Sequence, residues 1–205
     1  GHAVADLAAL CRERGATLVH YSTDYVFAGD AATPYRTDAP HHPLNAYGRS
    51  KAVGEAAIAD AAARGLSALV LRTSWLYAPW GKNFVRTIAG AARQRPSLRV
   101  VSDQRGRPTS SEHLADVTLR LLDAGARGVL HATDGGETTW FGFASRIAAW
   151  ANPACPVHPC TTAEFPRPAP RPAYSVLDLG PTEAILGPMP SWESNLDAVL
   201  PRLVS

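Results

Sequence analysis

An apolar strand followed by polar residues, a long loop and a helix is the feature that most constrains the fold. This pattern spans residues 18–51. Residues 17–21 have the β-branched and aromatic content of a buried strand. Three polar residues follow that strand: Ser22, Thr23 and Asp24. Open α/β sheets bind ligands at the carboxyl ends of their strands. The sequence therefore predicts an α/β fold with a ligand site where this strand ends.

A tyrosine and a lysine lie one helical turn apart after the loop. Tyr47 and Lys51 fall at the start of a helix predicted over residues 47–64, so they share one face. An ammonium near a phenol favours the phenolate, and a phenol placed there can give its proton to a carbonyl oxygen while hydride reaches the carbon. The hydroxyl of Thr23 is available to bond the same oxygen. The spacing also occurs by chance in many helices, so a purely structural interpretation stays open.

Lysine is rare in this chain, which makes its presence at position 51 informative. Among 20 lysines and arginines, only Lys51 and Lys82 are lysine. An ammonium is compact and flexible, whereas a guanidinium is a wide fork that stays charged. This bias favours a chemical role for Lys51.

Short motifs occur in a fixed order along nearly all of the 205 residues. They occupy residues 22–27, 34–35, 43–55, 72–77, 81–85, 103–109, 136–140, 171–178 and 186–192. Each motif alone is weak evidence for any family. Together they resemble the dTDP-4-dehydrorhamnose reductases, a family of extended short-chain dehydrogenases/reductases. The resemblance implies the later part of a Rossmann-type doubly wound parallel sheet, plus a smaller C-terminal α/β substrate-binding domain.

The resemblance also implies an activity and a set of site residues. The activity is NAD(P)H-dependent reduction of a dTDP-4-keto-6-deoxyhexose, from dTDP-4-dehydro-L-rhamnose to dTDP-L-rhamnose. The implied catalytic residues are Tyr47, Lys51 and Thr23. NADPH or NADH would contact Tyr47, Lys51, Ser22 and Thr73. The nucleotide sugar would contact Thr23, Asp24, Tyr25, Trp75 and Asn83. For Trp75, a core aromatic at a strand end is the alternative, and Asn83 is also a good helix N-cap.

Two other functions remain open. One is a sister 4-ketoreductase that acts on another nucleotide deoxysugar, because a few pocket contacts change sugar preference. The other is a non-catalytic regulatory subunit of the same fold, like the regulatory subunit of methionine adenosyltransferase. The Thr23, Tyr47 and Lys51 set argues for an enzyme.

The glycine-rich dinucleotide fingerprint is not found in this sequence. The chain starts instead with a helical pattern that puts Val4, Leu7, Ala8 and Cys11 on one stripe. The resemblance then implies the later two-thirds of an enzyme, which alone would bind cofactor poorly and be poorly active. It implies a partial Rossmann-type domain at residues 1–78 and a mainly substrate-binding domain at residues 79–205. Helix 112–123 is a candidate to return to the Rossmann sheet.

Periodicity predicts the remaining elements. Strands are predicted at residues 68–72, 98–101 and 128–132, and helices at 83–94, 112–123, 138–151, 181–186 and 192–203. Residues 102–109 are predicted to be a polar loop. The Pro-rich segment 152–173 is predicted to be irregular.

Composition narrows the classes of partner. The net charge of +2 with scattered arginines does not favour nucleic acid. No apolar run approaches the length of a membrane span. Three cysteines favour free thiols in a reducing compartment, and so a cytoplasmic protein. Cys155, His158 and Cys160 fit no common zinc spacing, so no metal ligand is predicted. The resemblance allows a homodimer and a divalent metal such as Mg²⁺.

Overall fold

The structure is a computed structural model that describes residues 2–203. The terminal limits of the two predicted domains, residues 1 and 205, therefore lie outside the described residues. The α-helices are α1 (His2–Glu13), α2 (Ala46–Ala63), α3 (Phe84–Gln94), α4 (Ser111–Asp123), α5 (Trp140–Ala151), α6 (Gly180–Leu186) and α7 (Trp192–Val199). The strands are β1 (Leu18–Thr23), β2 (Ala68–Thr73), β3 (Leu76–Tyr77), β4 (Leu98–Val101), β5 (Arg105–Gly106), β6 (Thr109–Ser110), β7 (Gly128–His131), β8 (Thr138–Thr139) and β9 (Val157–Cys160). Short 3₁₀ turns cover Asp24–Val26 and Leu200–Arg202.

A three-stranded parallel sheet with the order β1-β2-β7 lies at the centre of the fold. Its register pairs Thr23 at the end of β1 with Thr73 at the end of β2. Every residue of β2 is buried, as expected for the inner strand of a parallel sheet with helices on its faces. The polar ends of β1 and β2 therefore meet at one edge.

Alternate residues of β2 pack on opposite faces of the sheet. Leu69 and Leu71 share a core with α4 and β7, made with Leu114, Val117, Leu121 and Leu130. Ala68 and Val70 share another with α1 and α2, made with Ala8, Ile58, Ala61 and Leu66. This is the two-residue period of a strand. Helix α4 thus covers one face of the central sheet, while the domain division at residue 78 stays a prediction.

A separate core fills the space around α3, α5 and α7. Its largest members that are almost completely inaccessible to solvent are Tyr77, Val85, Phe143, Ile147 and Leu196. Strands β4 and β9 pair in parallel beside it. This second unit places Trp140, at the start of α5, next to the carboxyl ends of the central strands.

A strap, defined here as residues 170–178, connects the second unit to the loop after β1. Tyr174 N donates to Gly29 O at 2.9 Å, and Arg105 N donates to Ala173 O at 2.8 Å. The strap therefore hydrogen-bonds to both sides of the molecule. Within residues 2–203, none of the helices has the length and apolar character needed to cross a bilayer.

The predicted strands and helices are mostly confirmed, with five corrections. The predicted helix 138–151 begins at Trp140, because Thr138–Thr139 pair with β5 as strand β8. Strand β1 continues to Thr23 rather than stopping at residue 21. The segment 152–173, predicted to be irregular, contains β9, whose Pro159 is tolerated because the strand pairs on one side only. The predicted loop 102–109 includes β5 and the start of β6. The predicted helix 192–203 divides into α7 and a 3₁₀ turn that contains Pro201.

The predicted apolar stripe of α1 is only partly buried. Leu7 shares this stripe with Ala8, but it is 52% exposed whereas Ala8 is fully buried. Helix α1 packs mainly against α2. The buried face of α1 is narrower than its apolar stripe, because only one neighbouring helix covers it.

Candidate active site

A cavity of about 510 Å³ opens at the carboxyl ends of β1 and β2. It lies at the sheet edge where α/β folds bind ligands. Its walls come from the central sheet, α2, α5 and the strap. The lining residues are Tyr21, Ser22, Thr23, Asp24, Tyr25, Tyr47, Lys51, Thr73, Ser74, Trp75, Leu76, Trp140 and Arg171. All the residues proposed from the sequence for catalysis and cofactor binding are therefore at one cavity.

Helix α2 begins at this cavity because of two local contacts. Asn45 caps it, with its Oδ1 accepting a hydrogen bond from Gly48 N at 2.9 Å. A Cβ at Gly48 would lie 2.1 Å from Tyr25 O. Only glycine permits this close approach of α2 to the Asp24–Val26 turn. The glycine after Tyr47 thus brings that tyrosine next to the polar end of β1.

The two helical residues at the cavity are held differently. Lys51 Nζ donates a hydrogen bond to Tyr21 O at 2.6 Å. The ring of Tyr47 meets the ring of Tyr25 edge-on, with centroids 5.9 Å apart, and Tyr47 is 53% exposed. The ammonium is therefore anchored to β1, while the phenol faces the open cavity.

Thr23 and Asp24 form a buried polar pair at the end of β1. Thr23 Oγ1 donates to Asp24 Oδ1 at 3.0 Å and accepts from Tyr25 N at 3.2 Å. Burial raises the pKa of Asp24 to about 6, although the hydrogen bonds it accepts act in the opposite direction. Burial and the nearby Asp24 raise the pKa of Tyr25 to about 12, so Tyr25 keeps its proton at neutral pH.

Two stacked tryptophans form the wall opposite the strand ends. The rings of Trp75 and Trp140 lie 3.6 Å apart between centroids and 10° from parallel. Trp75 has a φ of +47°, a conformation that costs a non-glycine residue roughly 1–2 kcal/mol. A Cβ at Gly106 would lie 2.7 Å from the Trp75 ring. The stack therefore depends on a strained backbone and on a glycine behind it.

A buried charged network lies directly beneath the cavity. Arg72 binds Glu55 with its Nε and Nη2 groups, the shortest of these contacts being 2.7 Å. Ser22 Oγ donates to the same carboxylate, and His41 Nε2 lies 3.3 Å from it. Hydrogen bonds from Arg72 hold the pKa of Glu55 below its usual value despite its burial. The hydroxyl of Ser22 is thus already committed before any ligand binds.

Thr73 and Asn83 differ in what they offer a ligand. Thr73 Oγ1 is buried at the cavity without a hydrogen-bond partner, which suits a hydroxyl-rich group such as the ribose of a nicotinamide dinucleotide. Asn83 caps α3 by accepting from Arg86 N, and it donates to Ala78 O and Trp80 O. It does not line the cavity. The structure therefore does not bring Asn83 to the other proposed site residues.

Sequence reasoning assigned no role to five lining residues, of which Trp140 and Arg171 offer a ligand an aromatic face and a charge. Trp140 stacks on Trp75, and Arg171 adds a cation to a cavity that also holds Lys51. Trp140 and Arg171 both lie in motifs that carry the family resemblance. Their place in those motifs is the signal from which a role for them could have been predicted. Among residues 2–203, no cluster of three or more His, Cys, Asp or Glu side chains could hold a metal.

The parallel sheet, its flanking helices and the cavity at its strand ends define a Rossmann-type α/β protein. Residues 1–205 match the sequence profile of the RmlD substrate binding domain. This chain belongs to that family.

Curated relatives are similar over most of this chain. A protein named dTDP-4-dehydrorhamnose reductase from Burkholderia thailandensis is 41% identical over 94% of this chain and 70% of its own length. A probable dTDP-4,6-dihydroxy-2-methyloxan-3-one 4-ketoreductase from Streptomyces antibioticus is 44% identical over 92% of this chain and 64% of its own length. This chain therefore spans about two thirds of the length of these relatives.

A solved structure has the same fold. A dTDP-4-dehydrorhamnose reductase from Bacillus anthracis, in complex with NADP, superposes with a TM-score of 0.89 at 35% identity. The match covers 96% of this chain and 69% of that one.

Proposed function

We propose that the protein reduces the 4-keto group of a dTDP-4-keto-6-deoxyhexose with NADPH or NADH, forming dTDP-L-rhamnose from dTDP-4-dehydro-L-rhamnose. The observation that carries this proposal is the presence of Thr23, Tyr47 and Lys51 around one cavity at the ends of β1 and β2. The relatives named as reductases, and the NADP complex of one of them, support it.

Four residues would contact the cofactor: Ser22, Tyr47, Lys51 and Thr73, of which Ser22 already has its hydroxyl bonded to Glu55. The unpartnered Thr73 hydroxyl and the anchored ammonium of Lys51 are the observations that fit it. When bound, a reduced nicotinamide supplies the hydride for the ketone carbon. Tyr47 gives its proton to the ketone oxygen, and the ammonium of Lys51 stabilises the phenolate that remains.

The sugar would lie between the strand ends and the tryptophan wall. Thr23 would hold the ketone oxygen, with Asp24 and Tyr25 beside it and Trp75 against the ring. Arg171 and Lys51 give the cavity positive charge, which suits the diphosphate of a nucleotide sugar.

A sister 4-ketoreductase is the second candidate, favoured by the 44% identity to a protein named for a different keto sugar. It would use the same catalytic residues, because only contacts to the sugar would differ. A regulatory subunit is less consistent with Thr23, Tyr47 and Lys51 around one cavity.

We further propose a cytoplasmic location, which the three free cysteines favour. A homodimer and Mg²⁺ dependence stay predictions, which sedimentation and chelation would test.

The test is cofactor oxidation by the full-length protein in the presence of dTDP-4-dehydro-L-rhamnose or dTDP-4-keto-6-deoxy-D-glucose. We expect loss of NADPH absorbance and appearance of the 4-hydroxy sugar by NMR. The ketone with the higher kcat/KM would separate the two reductase candidates. Absence of oxidation with every 4-keto nucleotide sugar, in a folded protein, would overturn the proposed function.

A further inference from the structure

The hydroxyl proposed to hold the substrate oxygen already has a hydrogen-bond acceptor. Thr23 Oγ1 donates to Asp24 Oδ1 at 3.0 Å. It also accepts a hydrogen bond from Tyr25 N at 3.2 Å. Asp24 is 2% exposed, and its other oxygen, Oδ2, is buried without a partner. The cavity thus contains an incompletely satisfied carboxyl beside the proposed substrate contact.

The protonation state of Asp24 decides whether the Thr23 hydroxyl can donate a hydrogen bond to the ketone. A hydroxyl has one proton and two lone pairs, and an ionised carboxylate only accepts. While Asp24 is ionised, it takes the proton of Thr23, so Thr23 has only a lone pair to present to the cavity. A ketone oxygen also has only lone pairs, so the two oxygens cannot bond. A neutral Asp24 can donate to Thr23 Oγ1 instead, which frees the Thr23 proton for the ketone.

We propose, resting on the function proposed above, that Asp24 is a positioning residue whose neutral form makes Thr23 a hydrogen-bond donor to the substrate ketone. Asp24 then acts through Thr23 rather than by touching the reacting atoms. Its ionised form turns the Thr23 hydroxyl away from the ketone and weakens the productive complex.

The surroundings of Asp24 permit both protonation states near neutral pH. Burial raises the pKa of Asp24 to about 6. Lys51, Arg171 and the phenols of Tyr21, Tyr25 and Tyr47 are the other charged or titratable groups around this cavity. The hydrogen bond from Thr23 lowers this pKa, as does the Ser175 hydroxyl of the strap, which lies beside the carboxyl without hydrogen-bonding geometry, but both lower it less than burial raises it. Because the neutral form is the competent one, donation by Thr23 is complete well below pH 6 and is lost as pH rises.

The first test needs no turnover. Carbon-13 NMR of labelled Asp side chains would follow the titration of Asp24 in the full-length protein. Thr23→Val removes the donor to the carboxylate, so we expect the pKa of Asp24 to rise, while Thr23→Ser leaves it near the wild-type value. An Asp24 titration that Thr23→Val does not shift would overturn the inference.

The second test is the pH profile of the reaction. We expect kcat/KM of the wild type to fall by about tenfold per pH unit above the Asp24 titration. Asp24→Asn keeps the shape and cannot ionise, so its profile of kcat/KM against pH should lack this step. The melting temperature of the variant checks that it folds.

The pH-profile experiment distinguishes a failure of the positioning role of Asp24 from a failure of the reductase function. Turnover with a pH step that Asp24→Asn retains would overturn the positioning role and leave the reductase function standing. No turnover at any pH would overturn the reductase function itself.

Discussion

At the scale of a single residue, the buried His131 beside the network under the cavity makes the stability of the folded protein depend on pH. It is fully buried at the end of β7, where its Nδ1 donates to Asp178 O at 2.9 Å. Burial and the charge of Arg72 lower the pKa of His131 to about 4. The imidazole is therefore neutral in the folded protein over most of the pH range in which an exposed histidine is protonated.

The stability contributed by neutral His131 should be lost in acid. In the unfolded chain a histidine titrates near ~6.5, so the unfolded state takes up this proton first. The contribution is fully present above pH 6.5. It is lost as pH falls towards 4, which lowers the free energy of unfolding by about 3 kcal/mol in all. His131→Asn keeps a donor for Asp178 O but cannot be protonated. Urea unfolding at pH 7 and at pH 4.5 should therefore show a smaller loss in the variant, and an equal loss would contradict this.

At the scale of secondary-structure elements, one buried ion pair beneath the site joins a helix and two strands. Glu55 on α2 binds Arg72 on β2 and accepts from Ser22 on β1. Both side chains of the pair are almost completely buried. This network therefore fixes α2, which carries Tyr47 and Lys51, to the strands that carry Thr23 and Thr73.

Removing one charge of this pair should be far more costly than removing one at the surface. Glu55→Gln leaves the Arg72 guanidinium buried without its counter-ion, so we expect about 3–5 kcal/mol less stability by urea unfolding at pH 7. The matched control is Asp38→Asn in the exposed pair with Arg36, which should leave the melting temperature unchanged. Equal effects of the two variants would contradict this role for Glu55.

The tryptophan wall depends on a glycine in the neighbouring strand. A Cβ at Gly106 would lie 2.7 Å from the ring of Trp75 and 2.9 Å from Ser175 Oγ. We expect Gly106→Ala to displace Trp75, change tryptophan fluorescence and raise KM for the sugar about tenfold or more. Gly90→Ala is the control: nothing lies within 4 Å of its Cβ, so it should stabilise α3 and leave KM unchanged. An unchanged KM in Gly106→Ala would show that the wall does not contact substrate.

The elements were predictable from the sequence where local signals and burial agree. The Asn83 cap and the strand 98–101 follow from capping chemistry and an apolar run, and both are observed. Strand β9 was not predictable, because Pro159 obscures its pattern and its pairing with β4 is decided by distant residues. The burial of Asp24 and the stack of Trp75 on Trp140 depend on tertiary contacts that spacing in the chain does not encode.

At the scale of the whole molecule, the cavity lies where the central sheet, the second unit and the strap meet. Thr23 and Thr73 come from the sheet, Trp140 from the second unit and Arg171 from the strap. Since each part supplies a wall, ligand binding depends on how the strap holds the two sides together.

Arg171 should contribute to affinity through its charge. Arg171→Met removes one of the two cations around the cavity, so we expect Kd for a nucleotide sugar to rise about tenfold and its salt dependence to fall. Arg167→Met is the control, because Arg167 lies over Phe165 and does not line the cavity. Isothermal titration at two salt concentrations measures both effects. Equal Kd values for the two variants would contradict a role for Arg171.

The most direct test of the account is deuterium transfer from labelled NADPH to a 4-keto nucleotide sugar, measured by NMR in the wild type, Tyr47→Phe and Tyr174→Phe. We expect deuterium at C4 of the sugar in the wild type and in Tyr174→Phe. Tyr47→Phe should transfer it about 10²–10⁴-fold more slowly at a similar KM, because the ketone oxygen has lost its proton donor. Transfer to another carbon, or an unchanged rate in Tyr47→Phe, would contradict the proposed chemistry.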